Sequence, residues 1–311
     1  MRPDELRAWV DSGPPFDELC AAFPAEWEQV QGELATLVAR SDTAELQAYV
    51  ARLSAEGDAR APGRAAARRD GDEALSALVR RRLAIAALRK HCLAAATGVT
   101  SGRVRFNLVN GWLAQRLLFR RGLERKPVSM RRLRLVWPLV WQRDLLMPLV
   151  QPQGIYCFYS RELVAALAEL VAGRRCLEIA AGDGTLTRFL REAGVEVTAS
   201  DNRAWHKQVG YPDWVVNEEA RESLRRRSPE VVLCSWPPAG NAFERHVFRT
   251  PSVQLYVVIG SRHRFASGDW RAYDEQTAFE REERPDLARL VVPPELESAV
   301  LVFRRRAPGE L

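Results

Sequence analysis

A glycine-containing turn constrains the fold of this 311-residue chain more than any other feature. The run Glu178-Ile-Ala-Ala-Gly182-Asp-Gly184-Thr185 stands between a short apolar stretch and a helical one. Glycines let a backbone adopt positive φ and approach a ligand without a Cβ clash. The helix that follows presents unpaired N–H groups and a partial positive charge. The turn therefore predicts a strand–turn–helix unit whose turn faces a ligand.

From about residue 154 onward, short apolar runs alternate with helical stretches, which is typical of βαβ units and a mostly parallel sheet. Ser160 is placed to cap a helix over 161–172, and a second helix is predicted over 186–193. The predicted strands lie over 175–180, 195–200, 214–217, 230–235, 253–260, 287–292 and 299–304. The fold class is therefore α/β, with a Rossmann-like, seven-stranded, mostly parallel sheet.

The first 150 residues have a helical pattern and are predicted to form an all-α accessory or lid domain, followed by a catalytic domain over 151–311. Asp42, with Glu45 three residues further on, predicts a helix that stops near Gly57. Apolar residues recur at helical spacing between 75 and 87, and a third helix is predicted over 112–121.

Charge is distributed unevenly along the chain, although the net charge is only +6. Residues 1–58 have 4 basic and 12 acidic side chains, whereas residues 59–150 have 20 basic and 5 acidic ones, a net of +15. A basic segment of this density can face an anionic partner such as nucleic acid. It can equally dock on the acidic N-terminal segment or form a solvated face.

Cysteine usage and hydropathy indicate a cytoplasmic protein. The five cysteines are scattered and contain no C-x-x-C pair, so neither a disulfide framework nor a zinc site is indicated. No apolar run approaches the ~18 residues that cross a bilayer, and the N-terminal residues lack the apolar stretch of a signal peptide. We expect no bound metal and no membrane contact.

Two cofactors compete for the glycine turn. Asp201, at the end of the predicted second strand and 19 residues beyond the first glycine of the turn, can accept hydrogen bonds from both hydroxyls of a ribose. A dinucleotide fingerprint needs G-x-G-x-x-G, but Thr187 stands at its third glycine position. The spacing Glu178-x-Ala180-x-Gly182-x-Gly184 instead resembles the first motif of class I S-adenosylmethionine (SAM)-dependent methyltransferases, E/D-x-G-x-G-x-G, with alanine for the first glycine.

This resemblance covers residues 154–311 and implies a site for SAM and for its product, S-adenosylhomocysteine (SAH). By the family pattern, the glycine turn surrounds the methionyl part of SAM, Asp201 holds the ribose, and Glu219 meets the adenine. The aromatic segment 156–160 is expected to close over the cofactor. The implied cofactor-binding residues are Tyr156, Tyr159, Glu178, Ala180, Gly182, Asp183, Gly184, Asp201, Asn202, Glu219, Ala220 and Ser235.

The sequence after the fourth predicted strand, Ser235-Trp236-Pro237-Pro238, resembles the acceptor motif of amino-group methyltransferases in shuffled order. By that resemblance, Ser235 and the Trp236 carbonyl accept hydrogen bonds from an amino group; alternatively, the prolines only end the strand and Trp236 fills core. A hydroxyl acceptor needs a general base, for which His263 is preferred over His206 and His246. The expected catalytic residues are Ser235, Trp236, Pro237 and His263.

These features predict a SAM-dependent methyltransferase that acts on an N or O atom of a small-molecule or natural-product-like acceptor. One alternative is a nucleic-acid amino-group methyltransferase that uses the basic segment 59–150. Another is a non-catalytic SAM-binding scaffold. The salt dependence of binding distinguishes the nucleic-acid alternative from a small-molecule enzyme, because binding through phosphate contacts weakens steeply as the salt concentration rises.

Overall fold

The computed structural model describes residues 3–14, 16–39, 49, 69–90, 108–141, 143, 146–205 and 209–307. These residues belong to two compact units, Met1–Ser101 and Gly102–Leu311. The predicted helix between residues 42 and 57 lies, apart from Tyr49, outside the described residues, as do His91 and His206. Within the described ranges, no helix is long and apolar enough to cross a membrane.

The described part of the first unit is helical. Its helices are α1 (Pro3–Asp11), α2 (Phe16–Ala22), α3 (Pro24–Ala39) and α4 (Arg69–Lys90). Val30 on α3 and Val79 and Leu83 on α4 are fully buried, as the helical spacing of apolar residues requires. Arg80 Nη1 donates a hydrogen bond to Gln29 Oε1 at 2.8 Å, which adds a polar contact between the same two helices.

The second unit is built around a seven-stranded sheet. Its described strands are β1 (Phe158–Tyr159), β2 (Cys176–Ile179), β3 (Val197–Asp201), β4 (Val216–Asn217), β5 (Val231–Ser235), β6 (Leu255–Ser261), β7 (Phe279–Glu283), β8 (Val291–Val292) and β9 (Ser298–Arg305). The strand order is β4-β3-β2-β5-β6-β9-β7, with β1 and β8 in a separate antiparallel pair. In the main sheet, the five strands β4, β3, β2, β5 and β6 run parallel to one another, whereas β9 is antiparallel to both β6 and β7. The predicted Rossmann-like, mostly parallel sheet is confirmed.

Helices cover both faces of this sheet. They are α5 (Leu108–Leu118), α6 (Met130–Val136), α7 (Leu146–Val150), α8 (Arg161–Val171), α9 (Thr185–Glu192), α10 (Ala220–Arg227), α11 (Arg245–Phe248), α12 (Trp270–Glu275) and α13 (Pro285–Ala288). Successive side chains of a strand point to opposite faces. In β5, Val231 and Leu233 join the core that contains α8 and α9, while Val232 and Cys234 join the core that contains α10 and α11.

The predicted sixth strand, over 287–292, is wrong. Residues Pro285–Ala288 form the short helix α13, and Val291–Val292 pairs with Phe158–Tyr159 outside the main sheet. The strand of the main sheet that the sequence did not predict is β7, whose sequence Phe-Glu-Arg-Glu-Glu has one buried residue, Phe279. Strand β7 lies at the sheet edge, where charged side chains are tolerated and protect against association. A search for apolar runs therefore passes over it.

The unit that contains the sheet begins at Gly102 rather than near residue 150. Leu118 on α5, Leu133 on α6 and Leu146 on α7 are buried in the same core cluster as Leu167 and Val257 of the central α/β structure. The apolar faces of these helices therefore pack on the sheet unit itself. The basic residues between 108 and 143 belong to this unit as a consequence.

A buried carboxylate, Glu244, joins the loops that follow β5 and β6. Its oxygens accept hydrogen bonds from the hydroxyls of Tyr256 and Tyr273, from Asn241 Nδ2 at 2.6 Å and from the Asp269 N–H at 2.8 Å. Burial raises the pKa of Glu244 above its usual range. This network fixes both loops at the edge of the sheet where the parallel strands end.

We predict that Glu244→Ala lowers the free energy of unfolding by about 3–5 kcal/mol, because it leaves several buried donors without an acceptor. Urea denaturation at neutral pH measures this change. Glu244→Gln keeps one oxygen acceptor and is expected to cost less than half as much. Equal, small losses for both variants would show that the network does not stabilise the loops.

Candidate functional site

The candidate site lies where β2 and β5 separate the two halves of the sheet. Strands β3 and β4 follow β2 toward one edge of the sheet, and strand β6 follows β5 toward the opposite edge. In sheets of this kind, ligands bind in the crevice beyond the carboxyl ends of the strands at this switch point. The glycine turn follows β2, and Ser235 ends β5, so the sheet brings both predicted segments to one crevice.

The glycine turn adopts the left-handed backbone that its sequence predicts. The φ angles are +50° at Ala180, +56° at Gly182 and +67° at Gly184. Among the described residues, a Cβ added at Gly182 would meet only Val209 Cγ1, at 3.9 Å, so the backbone there is open to a ligand. A Cβ at Gly184 would instead overlap the Trp214 indole. Gly182 therefore forms the open cradle, and Gly184 is required by packing.

Asp201, the last residue of β3, closes the other side of this cradle. Its Oδ2 accepts a hydrogen bond from the Gly182 N–H at 3.0 Å, and its Oδ1 accepts one from the Arg203 N–H at 2.7 Å. The side chain is 8% exposed. A carboxylate offers about four acceptor positions, so Asp201 retains capacity for the hydroxyl donors of a sugar.

Tyr211 lies beside Asp201, a placement that the sequence did not reveal. Burial, followed by the neighbouring Asp201 carboxylate, raises the pKa of the Tyr211 hydroxyl above its ordinary value. Arg203 donates a hydrogen bond to the Val215 carbonyl at 2.8 Å, and its guanidinium lies 5.8 Å from the centre of the Tyr211 ring. The loop after β3 thus brings an aromatic side chain to the polar end of the site.

Glu178 is buried beneath the turn. Its Oε2 accepts hydrogen bonds from the Thr187 N–H at 2.9 Å and from Thr187 Oγ1 at 2.5 Å. Burial raises the pKa of Glu178 to about 7, against the opposing effect of the Thr187 donors. In the structure, Glu178 therefore ties β2 to the first turn of α9; a contact with the methionyl group of SAM stays a prediction.

The half-buried Asp183 forms an ion pair with the buried Arg125, a residue that the sequence assigned to the accessory domain. Arg125 Nη2 lies 2.5 Å from Asp183 Oδ1, and Arg125 Nη1 donates a hydrogen bond to the Cys157 carbonyl at 2.7 Å. Burial opposes ionisation of Asp183, but Arg125 and the Thr185 donors hold its pKa below the usual range. Asp183 thus anchors the glycine turn to the aromatic segment.

The aromatic segment 156–160 reaches the end of β5. The Tyr159 and Ser235 hydroxyls share a hydrogen bond of 2.8 Å, and Cys157 Sγ lies 3.8 Å from Ser235 Oγ. Trp236 Nε1 donates a hydrogen bond to the Tyr156 carbonyl at 2.6 Å. Ser235 and Trp236 are each partly buried. The structure therefore brings the predicted donor and acceptor segments into direct contact.

Trp236 has a φ of +52°, an uncommon conformation for a residue with a side chain. Its N–H donates to the Ile259 carbonyl at 2.6 Å, which holds the strained backbone in place. The adjoining Pro237 is buried, and its carbonyl accepts a hydrogen bond from the Gly268 N–H at 3.1 Å. Strain of this kind is concentrated at functional sites.

Asn202, predicted to lie beside the ribose, and Glu219, predicted to meet the adenine, lie together next to β3. Asn202 Nδ2 donates to Glu219 Oε1 at 3.2 Å, and Asn202 Oδ1 accepts a hydrogen bond from the Ala204 N–H at 3.1 Å. Glu219 precedes α10, whose first residue, Ala220, is buried. Both polar side chains are exposed, so they are accessible from solvent beside Asp201.

His263 follows β6 at the same edge of the sheet. Its Nε2 lies 3.1 Å from Glu297 Oε2, and its ring stacks on Phe265 with 5.3 Å between ring centres. The side chain is 7% exposed. His246 lies on α11, where burial and then Arg221 and other nearby arginines lower its pKa. Of the two described histidines in this unit, His263 is therefore the better candidate for a base, because the Glu297 carboxylate can orient its ring.

No family model and no curated protein matches the chain. Among solved structures, the CcbJ methyltransferase from Streptomyces caelestis is 16% identical over 47% of this chain and 89% of its own, with a TM-score of 0.34. The magnesium protoporphyrin IX methyltransferase from Synechocystis PCC 6803 is 12% identical over 47% and 79%, with a TM-score of 0.32. A SAM-dependent O-methyltransferase from Thermotoga maritima is 11% identical over 53% and 73%, with a TM-score of 0.36.

The topology of the sheet is the Rossmann-like one expected from the resemblance of the glycine turn to class I SAM-dependent methyltransferases. Five parallel strands divide at β2 and β5, and an antiparallel pair, β9 and β7, completes the sheet. The glycine turn follows β2, and an acidic residue, Asp201, ends the neighbouring strand β3. Fold and motif therefore agree within the one unit.

We predict that Glu178→Gln changes the pH dependence of stability. The folded protein holds a proton on Glu178 between about pH 4.5 and 7, where the unfolded chain releases it, so this group's contribution to stability is lost as pH rises through that window. Urea denaturation at pH 5 and at pH 8 measures the effect. As the pH rises from 5 to 8, the free energy of unfolding of the variant should increase by about 2 kcal/mol relative to that of the original chain. A constant difference at both pH values would contradict the burial of an ionisable Glu178.

We predict that Asp183→Asn lowers the free energy of unfolding by about 3–5 kcal/mol, because it leaves the buried Arg125 charge unpaired. Arg125→Met should lower it less, because water reaches the Asp183 carboxylate, which is 32% exposed. The double variant should lose less than the sum of the two, with a coupling energy of about 1–3 kcal/mol. Chemical denaturation of the four proteins in this cycle measures the coupling. Strict additivity would show that the pair does not join the two segments.

Proposed function

We propose that this protein is a SAM-dependent methyltransferase whose cofactor binds between the glycine turn and Asp201. The observation that carries the proposal is the cradle itself: Gly182 is open on the ligand side, and the buried Asp201 carboxylate lies 3.0 Å from its N–H. An acidic residue at this position suits a ribose with two free hydroxyls. The missing third glycine, at Thr187, disfavours a dinucleotide.

The residues present fit the parts of SAM. The turn backbone at 180–184 would face the methionyl portion, Asp201 with Asn202 beside it the ribose, and Glu219 the adenine. Tyr156 and Tyr159 would cover the cofactor from the aromatic segment, next to Ser235. Bound SAM supplies an electrophilic methyl group on a sulfonium, and no metal is needed for that transfer.

The acceptor is proposed to approach Ser235 and Trp236, at the end of β5. Methyl transfer is an in-line displacement, so holding the acceptor in line and excluding water supply much of the acceleration. The Ser235 hydroxyl and the Trp236 carbonyl can orient an amino group, and the buried Pro237 helps to fix their positions. For a hydroxyl acceptor, the His263–Glu297 pair offers a base with an oriented ring.

The acceptor class is open to two proposals. A small-molecule or natural-product-like acceptor, with residues 1–150 as its lid, stays a prediction from the sequence. A nucleic-acid acceptor is favoured by one observation in the structure: among the described residues, the surface next to the aromatic segment has many cations without a carboxylate partner. A scaffold without activity would bind SAM but give no turnover with either class.

We predict that Asp201→Ala weakens SAH binding at least tenfold, because the ribose loses its acceptor and the Gly182 N–H loses its anchor. Isothermal titration calorimetry with SAH measures the dissociation constant. Asp213→Ala serves as the matched control, since it removes an exposed carboxylate from the same loop region. Unchanged affinity in the Asp201 variant, or an equal loss in the control, would contradict the assigned site.

A further inference from the structure

Helices α5 and α6 and the turn between them form a basic surface on the sheet unit. Residues 108–141 contain seven arginines and one lysine but a single acidic residue, Glu124. Arg116, Arg131, Arg132 and Arg134 are exposed. We call residues 112–134, together with Arg161 at the start of α8, the basic surface.

Most of the cations on this surface have no carboxylate partner in the part of the chain that the structure describes. Within the described ranges, no ion pair involves the residues Arg116, Arg121, Lys126, Arg131, Arg132, Arg134 and Arg161. Elsewhere on the same unit, several surface arginines lie against carboxylates: Arg226 lies 2.7 Å from Glu222, and Arg264 lies 2.7 Å from Asp274. The basic surface therefore concentrates positive charge that nearby carboxylates do not balance, since Glu124 is the one acidic residue between 108 and 141.

Four of these cations crowd together. Lys126 Nζ donates a hydrogen bond to the Arg116 carbonyl at 2.6 Å, which places the ammonium at the end of α5. The pKa of Lys126 is lowered by partial burial and then by the neighbouring charges of Arg132, Arg116 and Arg161. Arg161 is also the first residue of α8, where the helix dipole disfavours a cation. Such repulsion is relieved when an anion binds.

An exposed aromatic ring accompanies the cations. Trp112 is 58% exposed, and the Arg116 guanidinium lies 5.4 Å from the centre of its ring. Surfaces that bind nucleic acid combine cations that follow the phosphates with aromatic and guanidinium planes on which bases stack. Trp112 and Arg116 provide both elements on one face of α5.

The basic surface adjoins the candidate site. Val128 pairs with Ser160 in an isolated parallel bridge, and the Arg161 N–H donates to the Val128 carbonyl at 2.8 Å. Ser160 follows Tyr159, whose hydroxyl contacts Ser235. Arg125, next to Lys126, binds Asp183 of the glycine turn. A chain of phosphates on this surface would therefore lie beside the crevice where methyl transfer is proposed.

We propose that the basic surface binds the phosphate backbone of a nucleic acid and thereby presents a base to the Ser235–Trp236 side of the crevice. The inference that this surface binds nucleic acid is based on its charge and geometry. The inference that the nucleic acid is also the methyl acceptor rests on the proposed function. Guanidinium and ammonium groups contact phosphates regardless of sequence, so affinity should depend strongly on salt.

The test is fluorescence anisotropy with a labelled single-stranded RNA of about 20 nucleotides, longer than one single-strand binding site, and with DNA of the same sequence. The basic-surface variant carries Arg116→Gln, Lys126→Gln and Arg132→Gln. The control carries Arg225→Gln, Arg226→Gln and Arg271→Gln, which removes the same net charge from exposed arginines that have carboxylate partners. Each protein is titrated from about 50 to 200 mM salt.

We expect the original chain to bind RNA, DNA or both, and the basic-surface variant to bind at least tenfold more weakly. The slope of log affinity against log salt should fall by about 2–3, since three phosphate contacts are removed. The control should stay within twofold of the original chain. Absence of binding at low salt, equal losses in both variants, or tighter binding of a polyglutamate peptide than of nucleic acid would overturn the proposal.

A parallel calorimetric titration with SAH separates this inference from the proposed function. The basic-surface variant should bind SAH as the original chain does, which also shows that it is folded. If the original chain binds nucleic acid but not SAH, the proposed function fails while the phosphate-binding surface stands. If it binds SAH but not nucleic acid, the surface assignment fails and the methyltransferase proposal stands.

Discussion

The ion pair between Arg125 and Asp183 is the interaction on which the candidate site depends. Burying a single charge costs several kcal/mol unless a partner neutralises it, so the buried Arg125 guanidinium holds Asp183, and with it the glycine turn, within reach. Arg125 also binds the Cys157 carbonyl and lies 5.7 Å from the centre of the Tyr159 ring. Three segments that are distant in the sequence are thereby held at one edge of the sheet.

The two sides of the crevice follow from that arrangement and from the sheet topology. The proposed donor side consists of the turn after β2 and Asp201 at the end of β3, which meet through the Gly182 N–H. The proposed acceptor side consists of Ser235 and Trp236 at the end of β5. The aromatic segment joins the two sides, because Tyr159 contacts Ser235 and the Tyr156 carbonyl accepts a hydrogen bond from Trp236. The basic surface extends from the same segment.

Sequence patterns predicted the parts of the structure that depend on local chemistry. The Ser160 cap is confirmed, since its Oγ accepts a hydrogen bond from the Leu163 N–H at 2.9 Å, and the turn has the positive φ angles that its glycines predict. The edge strand β7 was missed because its residues are charged rather than apolar. Arg125 and Tyr211 were missed because their partners lie 58 and 10 residues away, respectively, and no spacing rule relates them. Contacts between residues that are distant in the sequence leave no pattern in the local sequence from which they could be predicted.

The central claim is that the cradle between Gly182 and Asp201 is built for SAM rather than for a dinucleotide. Calorimetric titration of the original chain with SAH and, separately, with NAD tests it most directly. The open backbone at Gly182, the buried Asp201 and the absence of a third glycine predict one SAH per chain and no heat of binding with NAD. Binding of NAD in the same titration, or the absence of SAH binding, would contradict the claim.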